Sequence, residues 1–342
     1  MALRTIVIFL ALACVAAAQS RTKKIILVTV DGLRWQELFN GVDASLAGKL
    51  RIPEDKRREA ILPFFWNTFA RQGVVFGNPA KNSSVEVTNS FRVSYPGYSE
   101  ILTGRAQDSV IRGNEKIQNP TETVLEFVRR KLRLPRSRVA VFASWDVFPF
   151  IAESKPGSIY INAGYQDDPT MPDLSALQTE AMTAWDGVRH DYVTLNMAIN
   201  YLRRKKPRVL HIALGETDDW AHDRRYDRVI QSIRYFDTAL EYLVTVVQGT
   251  PEYRGNTTII VTSDHGRGST AEDWTSHGEK VPGAEKIWLA MWGADVPALG
   301  EISNSAPVFQ RDVAPTMLRV LRIDPASYSG VEGRSVLPLK GK

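Results

Sequence analysis

The sequence predicts an α/β fold with a mostly parallel central sheet and helices on both faces. Two observations carry that prediction. Short runs rich in Val and Ile recur along the chain, each bounded by turn residues. Between them lie longer stretches whose apolar residues repeat with helical spacing. Strands that alternate with helices in this way pair in parallel, and the crossover helices cover the sheet.

The strands read, in order, "KIILVTVDG" (24–32), "RVAVFAS" (138–144), "RVLHIALGE" (208–216), "TTIIVTSDHG" (257–266) and "KIWLAMWG" (286–293). They are short, β-branched and nearly all apolar, as strands buried on both faces are. The helices read "TVLEFVRRKLRL" (123–134), "DYVTLNMAINYLRRKK" (191–206), "YDRVIQSIRYFDTALEYLVTVVQ" (226–248) and "VAPTMLRVLRI" (313–323). Stretches near 40–65 and 145–185 fit neither period and read as irregular or capping insertions. Their aromatics (Trp66, Trp145, Phe148, Phe150, Tyr165, Trp185) are candidates either for pocket walls or for core. No repeat or low-complexity linker divides the chain, so residues 19–342 read as one domain.

Composition narrows the function. Lys and Arg number 43 against 38 Asp and Glu in 342 residues, a net charge of +5. The basic clusters (56–58, 129–131, 203–206) are small and read as solvated helix ends, not as a nucleic-acid surface. The first 20 residues, "MALRTIVIFLALACVAAAQS", place an early Arg before an apolar run and then Ala16-Ala17-Ala18. That is the order of a secretory signal peptide over 1–18, so a periplasmic or secreted protein is expected. Cys14 is the only cysteine and would leave with the leader. A lipoprotein anchored at Cys14 is the lesser alternative, because Ala11-Leu12-Ala13 matches a lipobox poorly. No later apolar run approaches the ~20 residues of a membrane span.

Three predicted strands run directly into carboxylates: Asp31, Asp218 with Asp219, and Asp264. Open α/β sheets carry their chemistry beyond the carboxyl ends of strands. An Asp that caps a helix or makes a turn explains any one of these, but explains three less well. Of the five histidines, His222 lies four residues after Asp218, which on a helix puts both on one face. His265 adjoins Asp264, and His277 lies in "TSHG". These are oxygen and nitrogen ligands of the kind Zn²⁺ accepts. His190, before a helix, and His211, inside a strand, read as structural. In "VSYPGYSEILTGR" (93–105), Pro96 suits the first turn of a helix, with Ser94 at or near its N-cap. A hydroxyl at that positive end is placed to attack an anion.

Taken in order, "TVDG" (29–32), "SYPGYSEILTG" (94–104), Asp218 to His222, "SDHG" (263–266), "HG" (277–278) and "DVAPT" (312–316) resemble the alkaline phosphatase superfamily. Its type I phosphodiesterase/nucleotide pyrophosphatase branch is the nearest, and the likeness runs from about residue 24 to the end. The resemblance implies two divalent metal ions, zinc in most of the family and manganese in some mutase relatives. Asp218, His222 and His277 would hold one. Asp31, Asp264, His265 and the nucleophile Ser94 would hold the other. It also implies that Asn114, one residue closer to the nucleophile than usual, hydrogen-bonds a phosphoryl oxygen, and that "DVAPT" is structural. Two ions ~4 Å apart clamp the attacking and leaving oxygens of an in-line displacement, here through a phosphoseryl enzyme. Asn114 and the backbone N–H groups after Ser94 would stabilise the equatorial oxygens.

Ser94 stands where the nearest branch usually has Thr. Thr88, Ser90 and Ser99 are rival hydroxyls, but only Ser94 directly precedes Tyr-Pro. Asp219 competes with Asp218 at the wrong spacing from His222, and Asp273 fits no ligand position. The expected activity is therefore an exported phosphodiesterase acting on a small phosphate ester. A phosphomonoesterase is the alternative, since Arg92, Arg105, Arg112 and Arg267 lie beside the motifs. A sulfatase comes next, although "SYPGY" lacks the Arg of the formylglycine motif. A non-catalytic metal-binding protein ranks last, because no ligand is missing.

Overall fold

A computed structural model describes residues 22–47 and 57–337. The expected signal peptide, Cys14 and part of the 40–65 stretch lie outside the described residues. The strands are β1 (Lys24–Val30), β2 (Val74–Phe76), β3 (Val85–Glu86), β4 (Val139–Ala143), β5 (Tyr160–Ala163), β6 (Val209–Leu214), β7 (Thr257–Thr262), β8 (Lys286–Ile287), β9 (Leu289–Gly293), β10 (Gly300–Glu301) and β11 (Val308–Phe309). The helices that matter below are α1 (Ser94–Thr103), α2 (Val124–Lys131), α3 (Pro172–Glu180), α4 (Asp191–Lys205), α5 (Glu216–His222), α6 (Tyr226–Gly249) and α7 (Val313–Val320).

Eight strands form the central sheet in the order β10-β2-β9-β7-β1-β6-β4-β5. The run β7-β1-β6-β4-β5 is parallel throughout, and β9 is antiparallel to both of its neighbours. Every residue of β1, β4, β6 and β7 is buried, as a sheet covered on both faces requires. The two faces build two apolar cores. One contains Ile26, Val28, Ile212, Phe236 and Trp288, and the other Ile25, Leu27, Val141, Tyr98 and Met317. Alternate residues of β1 divide between them, as a strand of period two must.

The helices start and stop where local chemistry directs. Thr123 caps α2 in a reciprocal capping box with Glu126. The basic runs 129–131 and 203–205 sit in the last turns of α2 and α4, where cations favour the helix dipole. Among the described residues, no helix is long and apolar enough to cross a membrane.

Two expectations are corrected. "KIWLAMWG" is not one strand. It breaks at fully buried Trp288, so that β8 joins a small sheet β11-β3-β8 while β9 enters the central one. Trp288 Nε1 donates to the Leu33 carbonyl at 3.0 Å, a tertiary contact no local pattern announces. The 145–185 stretch is not wholly an insertion, because it contains β5, the parallel edge strand beside β4. The described end of the 40–65 stretch contributes to the core, one of the two readings open for its aromatics. Leu62, Phe65 and Trp66 are buried in the core, with the Arg58 guanidinium 3.9 Å from the Trp66 ring.

Candidate metal centre

The strand order decides the site. β7, β1 and β6 are adjacent and in register, with Thr29 opposite both Thr262 and Ala213. Their carboxyl ends are therefore level, and Asp31, Asp264 and the helix carrying Asp218 leave one edge of the sheet together. In α5, Asp218 and His222 occupy one face, with His222 Nε2 3.0 Å from Asp218 Oδ2.

Two groups of ligand atoms lie within 4.8 Å of one another: Asp31, Asp264 and His265, and Asp218, His265 and His277. His222 joins the second group, its Nε2 lying 3.0 Å from His277 Nε2. His265 is shared between the groups, where the sequence placed it in one. Its ring stacks on His277 with centroids 3.9 Å apart, which puts Nε2 3.4 Å from Asp31 Oδ1, 3.5 Å from Asp264 Oδ2 and 3.7 Å from Asp218 Oδ1.

This donor set fits divalent cations. Asp31 Oδ1 and Asp264 Oδ2 are buried with no hydrogen-bond partner among the described residues. A buried carboxylate oxygen left without a donor is costly unless a cation takes it. The imidazoles are oriented to match. Nδ1 of His265 lies 3.0 Å from the Gly266 carbonyl, and Nδ1 of His277 lies 3.2 Å from the Arg92 carbonyl. A proton on each Nδ1 leaves the Nε2 lone pair for a metal.

Electrostatics points the same way. Burial pushes the Asp264 carboxyl well above the usual range, and the neighbouring Asp31 charge pushes it further. Burial lowers His265, but Asp264, Asp31 and Asp218 outweigh it and raise the ring to about 9. The buried Asp264–His265 pair therefore holds a proton that a cation must displace, so affinity rises with pH. The gain in Tm from added zinc is accordingly expected to grow from pH 5.5 to pH 8. A gain that is flat or shrinks over that range in thermal melts would exclude this coupling.

Asp218 behaves differently. Burial raises its pKa, but Arg267 and the histidines hold the carboxyl well below the usual range. Buried Arg267 donates to both Oδ1 and the main-chain oxygen of Asp218. It is a positioning residue, not the free cation its place beside "SDHG" suggested. Gly32, at φ +58°, leaves room for this pair: a Cβ there would fall 2.4 Å from Asp218 Oδ1.

Ser94 is the first residue of α1, not its N-cap. Val93 holds that position in extended backbone, and no side chain caps the helix. The Ser94 hydroxyl is directed elsewhere: Oγ is 3.3 Å from His265 Nε2. Gly97 permits this docking, since a Cβ there would lie 2.2 Å from the Asp264 carbonyl oxygen. The rival hydroxyls are engaged away from the cluster. Thr88 donates to Glu100, Ser90 to Asp108, and Ser99 meets Gln107.

Asn114 is exposed, and its Oδ1 accepts from the Tyr95 backbone N–H at 2.9 Å, one residue past Ser94. This corrects the expectation that backbone donors after Ser94 face the phosphoryl group. Tyr95 N–H is occupied by Asn114, Pro96 has none, and Gly97 N–H bonds the Val93 carbonyl at 3.0 Å. Asn114 Nδ2 remains as a donor.

Other residues keep to their expected places outside the cluster. Asp273 accepts from Thr270 in a local turn, and buried His211 meets Thr29 inside the sheet. Burial and the neighbouring Asp218 charge keep Asp219 well above the usual carboxyl range. Two supporting residues carried no motif. Tyr98 donates to Asp31 Oδ2 at 3.0 Å, and Gln310 Nε2 donates to the Ser263 carbonyl at 3.1 Å and to that of Asp264. Tyr98 lies one turn after Ser94 on α1, a spacing that could have flagged it, whereas Gln310 left no signal.

Solved structures share this fold. The alkaline phosphatase PafA superposes with a TM-score of 0.63 at 12% identity, covering 95% of this chain and 100% of that one. A Vibrio parahaemolyticus protein of the alkaline phosphatase superfamily gives 0.59 at 15% identity, over 94% of this chain and 72% of that one. This chain has the alkaline phosphatase superfamily fold. The phosphonate monoester hydrolase SpPMH from Silicibacter pomeroyi shares the superfamily fold with a TM-score of 0.58 at 14% identity, over 92% of this chain and 76% of that one. Residues 187–325, which contain Asp218, His222, Asp264, His265 and His277, match the Metalloenzyme superfamily model. No curated protein matches the chain by sequence.

Proposed function

We propose that the chain is an exported two-metal hydrolase of phosphoric esters, with diesters as its preferred substrates and Ser94 as its nucleophile. One observation carries the reading. The Ser94 hydroxyl meets His265 in a buried cluster of carboxylates and imidazoles whose free oxygens call for cations. The Metalloenzyme superfamily match and the phosphatase and phosphonate monoester hydrolase among the structural neighbours support it. Export rests on the leader sequence over 1–18.

Asp218, His222 and His277 would hold one cation, and Asp31, Asp264, His265 and Ser94 the other. Bound zinc would supply Lewis-acid polarisation of the phosphoryl oxygens and favour the ionised form of the Ser94 hydroxyl. Ser94 Oγ forms a bond to phosphorus, the bond from phosphorus to the leaving oxygen breaks, and the proton lost from Oγ ends on that oxygen. Water then cleaves the phosphoseryl ester and returns the proton to Oγ. The positive end of α1 favours the anion, and Asn114 Nδ2 donates to a non-bridging oxygen.

The surrounding charges support a diester preference. A monoester brings one more negative charge, and each basic side chain beside the motifs already meets another protein group. Arg267 holds Asp218, Arg105 donates to Thr121, and Arg112 bonds the Asp108 carbonyl. Arg92 faces Glu285 at 3.4 Å, and Lys116 faces Asp146 at 2.8 Å. The test is one preparation assayed on bis-p-nitrophenyl phosphate, p-nitrophenyl phosphate and p-nitrophenyl sulfate. The diester is expected to lead in kcat/KM by at least about tenfold, a discrimination of the size that one unmatched charge produces. A faster monoester would favour the phosphatase reading, and a faster sulfate would overturn both.

A further inference from the structure

A cavity of about 290 Å³ opens on the opposite side of α5 from the metal centre, lined by His190, Tyr192, Glu216, Trp220, Arg228 and Tyr235 among others. Glu216 and Trp220 are four residues apart and share one helix face. Asp218 and His222 lie about 200° round the helix from them. The cavity is therefore separate from the site assigned above, and nothing in the proposed hydrolysis uses it.

Its chemistry is specific. Three aromatic side chains, Tyr192, Trp220 and Tyr235, form much of the wall, and the Tyr192 and His190 rings stack with centroids 5.6 Å apart. Neither tyrosine hydroxyl has a hydrogen-bond partner among the described residues. At the base, the Glu216 carboxylate accepts from the Asp191 N–H at 3.0 Å and meets His190 Nδ1 at 2.9 Å and Ser232 Oγ at 3.3 Å. Glu216 is thus held in place by its neighbours on α4 and α6. On the rim, exposed Arg228 lies 5.8 Å from the Trp220 ring and uses one guanidinium nitrogen on Gln231 at 2.7 Å. Its remaining N–H groups are available. Glu216 is paired with His190, whose pKa it raises, so the attraction for an organic ammonium group comes mainly from the aromatic side chains that line the cavity. A guanidinium at the mouth attracts an anion on the same molecule.

We propose that this cavity binds a small zwitterion, with its ammonium group among Tyr192, Trp220 and Tyr235 above Glu216 and its anion on Arg228. The volume is at the lower end of the small-ligand range, which suits a molecule of that size.

Glycine betaine is the probe, titrated into the whole protein by calorimetry with Trp fluorescence in parallel. Saturable binding is expected, tighter than that of tetramethylammonium, which lacks the anion. Arg228→Ala, at an exposed position, should weaken betaine about fivefold and leave tetramethylammonium unchanged. Tyr235→Ala should weaken both by about tenfold, while Tyr235→Phe, which keeps the ring face, should bind both as the native chain does. No saturable binding would overturn the proposal. So would betaine binding no tighter than tetramethylammonium, or an Arg228→Ala variant that binds betaine unchanged. Ser94→Ala should bind betaine as the native chain does, so this result stands or falls apart from the hydrolase reading.

Discussion

Replacing Ser94 with alanine is expected to lower hydrolysis of bis-p-nitrophenyl phosphate by at least about 10³-fold while leaving cation binding largely intact. That loss corresponds to about 4 kcal/mol of barrier. The reason lies in how the side chains divide their work. Among the described residues, Ser94 Oγ meets the cluster through a hydrogen bond with His265 at 3.3 Å, whereas the carboxylates and imidazoles lie against one another. Removing Oγ takes away the attacking atom and leaves six other ligand residues in place. The neighbouring hydroxyls of Thr88, Ser90 and Ser99 are bonded to other partners and cannot substitute for it. The measurements are steady-state rates and metal content on the same preparation. A variant that keeps more than about a tenth of the native rate would mean that another group attacks phosphorus. Loss of the metals together with the activity would instead make Ser94 a structural ligand.

Asp264→Asn is expected to have two opposite effects. It should weaken cation binding by at least about 100-fold, because it removes an anionic ligand oxygen shared with Asp31 and His265. In the metal-free protein it should raise stability by about 1–3 kcal/mol. Asp264 is fully buried beside Asp31, and one of its oxygens has no donor. Asparagine keeps an Oδ1 for the Gly32 N–H, 3.0 Å away, and puts a donor where the orphaned oxygen was.

The pH dependence gives this prediction its sign. The folded-state pKa of Asp264 is raised above its unfolded value. Below the unfolded value both states are protonated and the residue costs nothing. As pH rises, the unfolded chain ionises first, and the native protein loses stability relative to it. Asparagine does not titrate, so the advantage of the variant should grow from pH 4 to pH 7. Melts of chelator-treated protein test this. A variant less stable than the native chain at pH 7 would show that Asp264 is already satisfied without a cation.

Much of the site was legible from local patterns. The apolar runs before Asp31, Asp218 and Asp264 announced three strands, and the four-residue step to His222 announced a helix face. Both signals are short-range, set by backbone periodicity and turn chemistry. The sharing of His265 was not legible, because it depends on stacking between rings from different loops. Nor was the role of Arg267. Its position beside "SDHG" suggested a phosphate ligand, but the fold brings it to a carboxylate 49 positions away in sequence. The same holds for Tyr95 N–H, which the sequence left free for substrate and Asn114 occupies.

By itself, then, the sequence determined the alternation of strands and helices and pointed to the ordered candidate ligands and the candidate nucleophile, because each is written in spacing along the chain. Tertiary structure alone decided that β7, β1 and β6 lie side by side, that Gly97 lets α1 approach the end of β7, and which protein groups the nearby basic side chains meet. Those are contacts between residues far apart in sequence. They arise from packing and burial, for which a single chain carries no local signal.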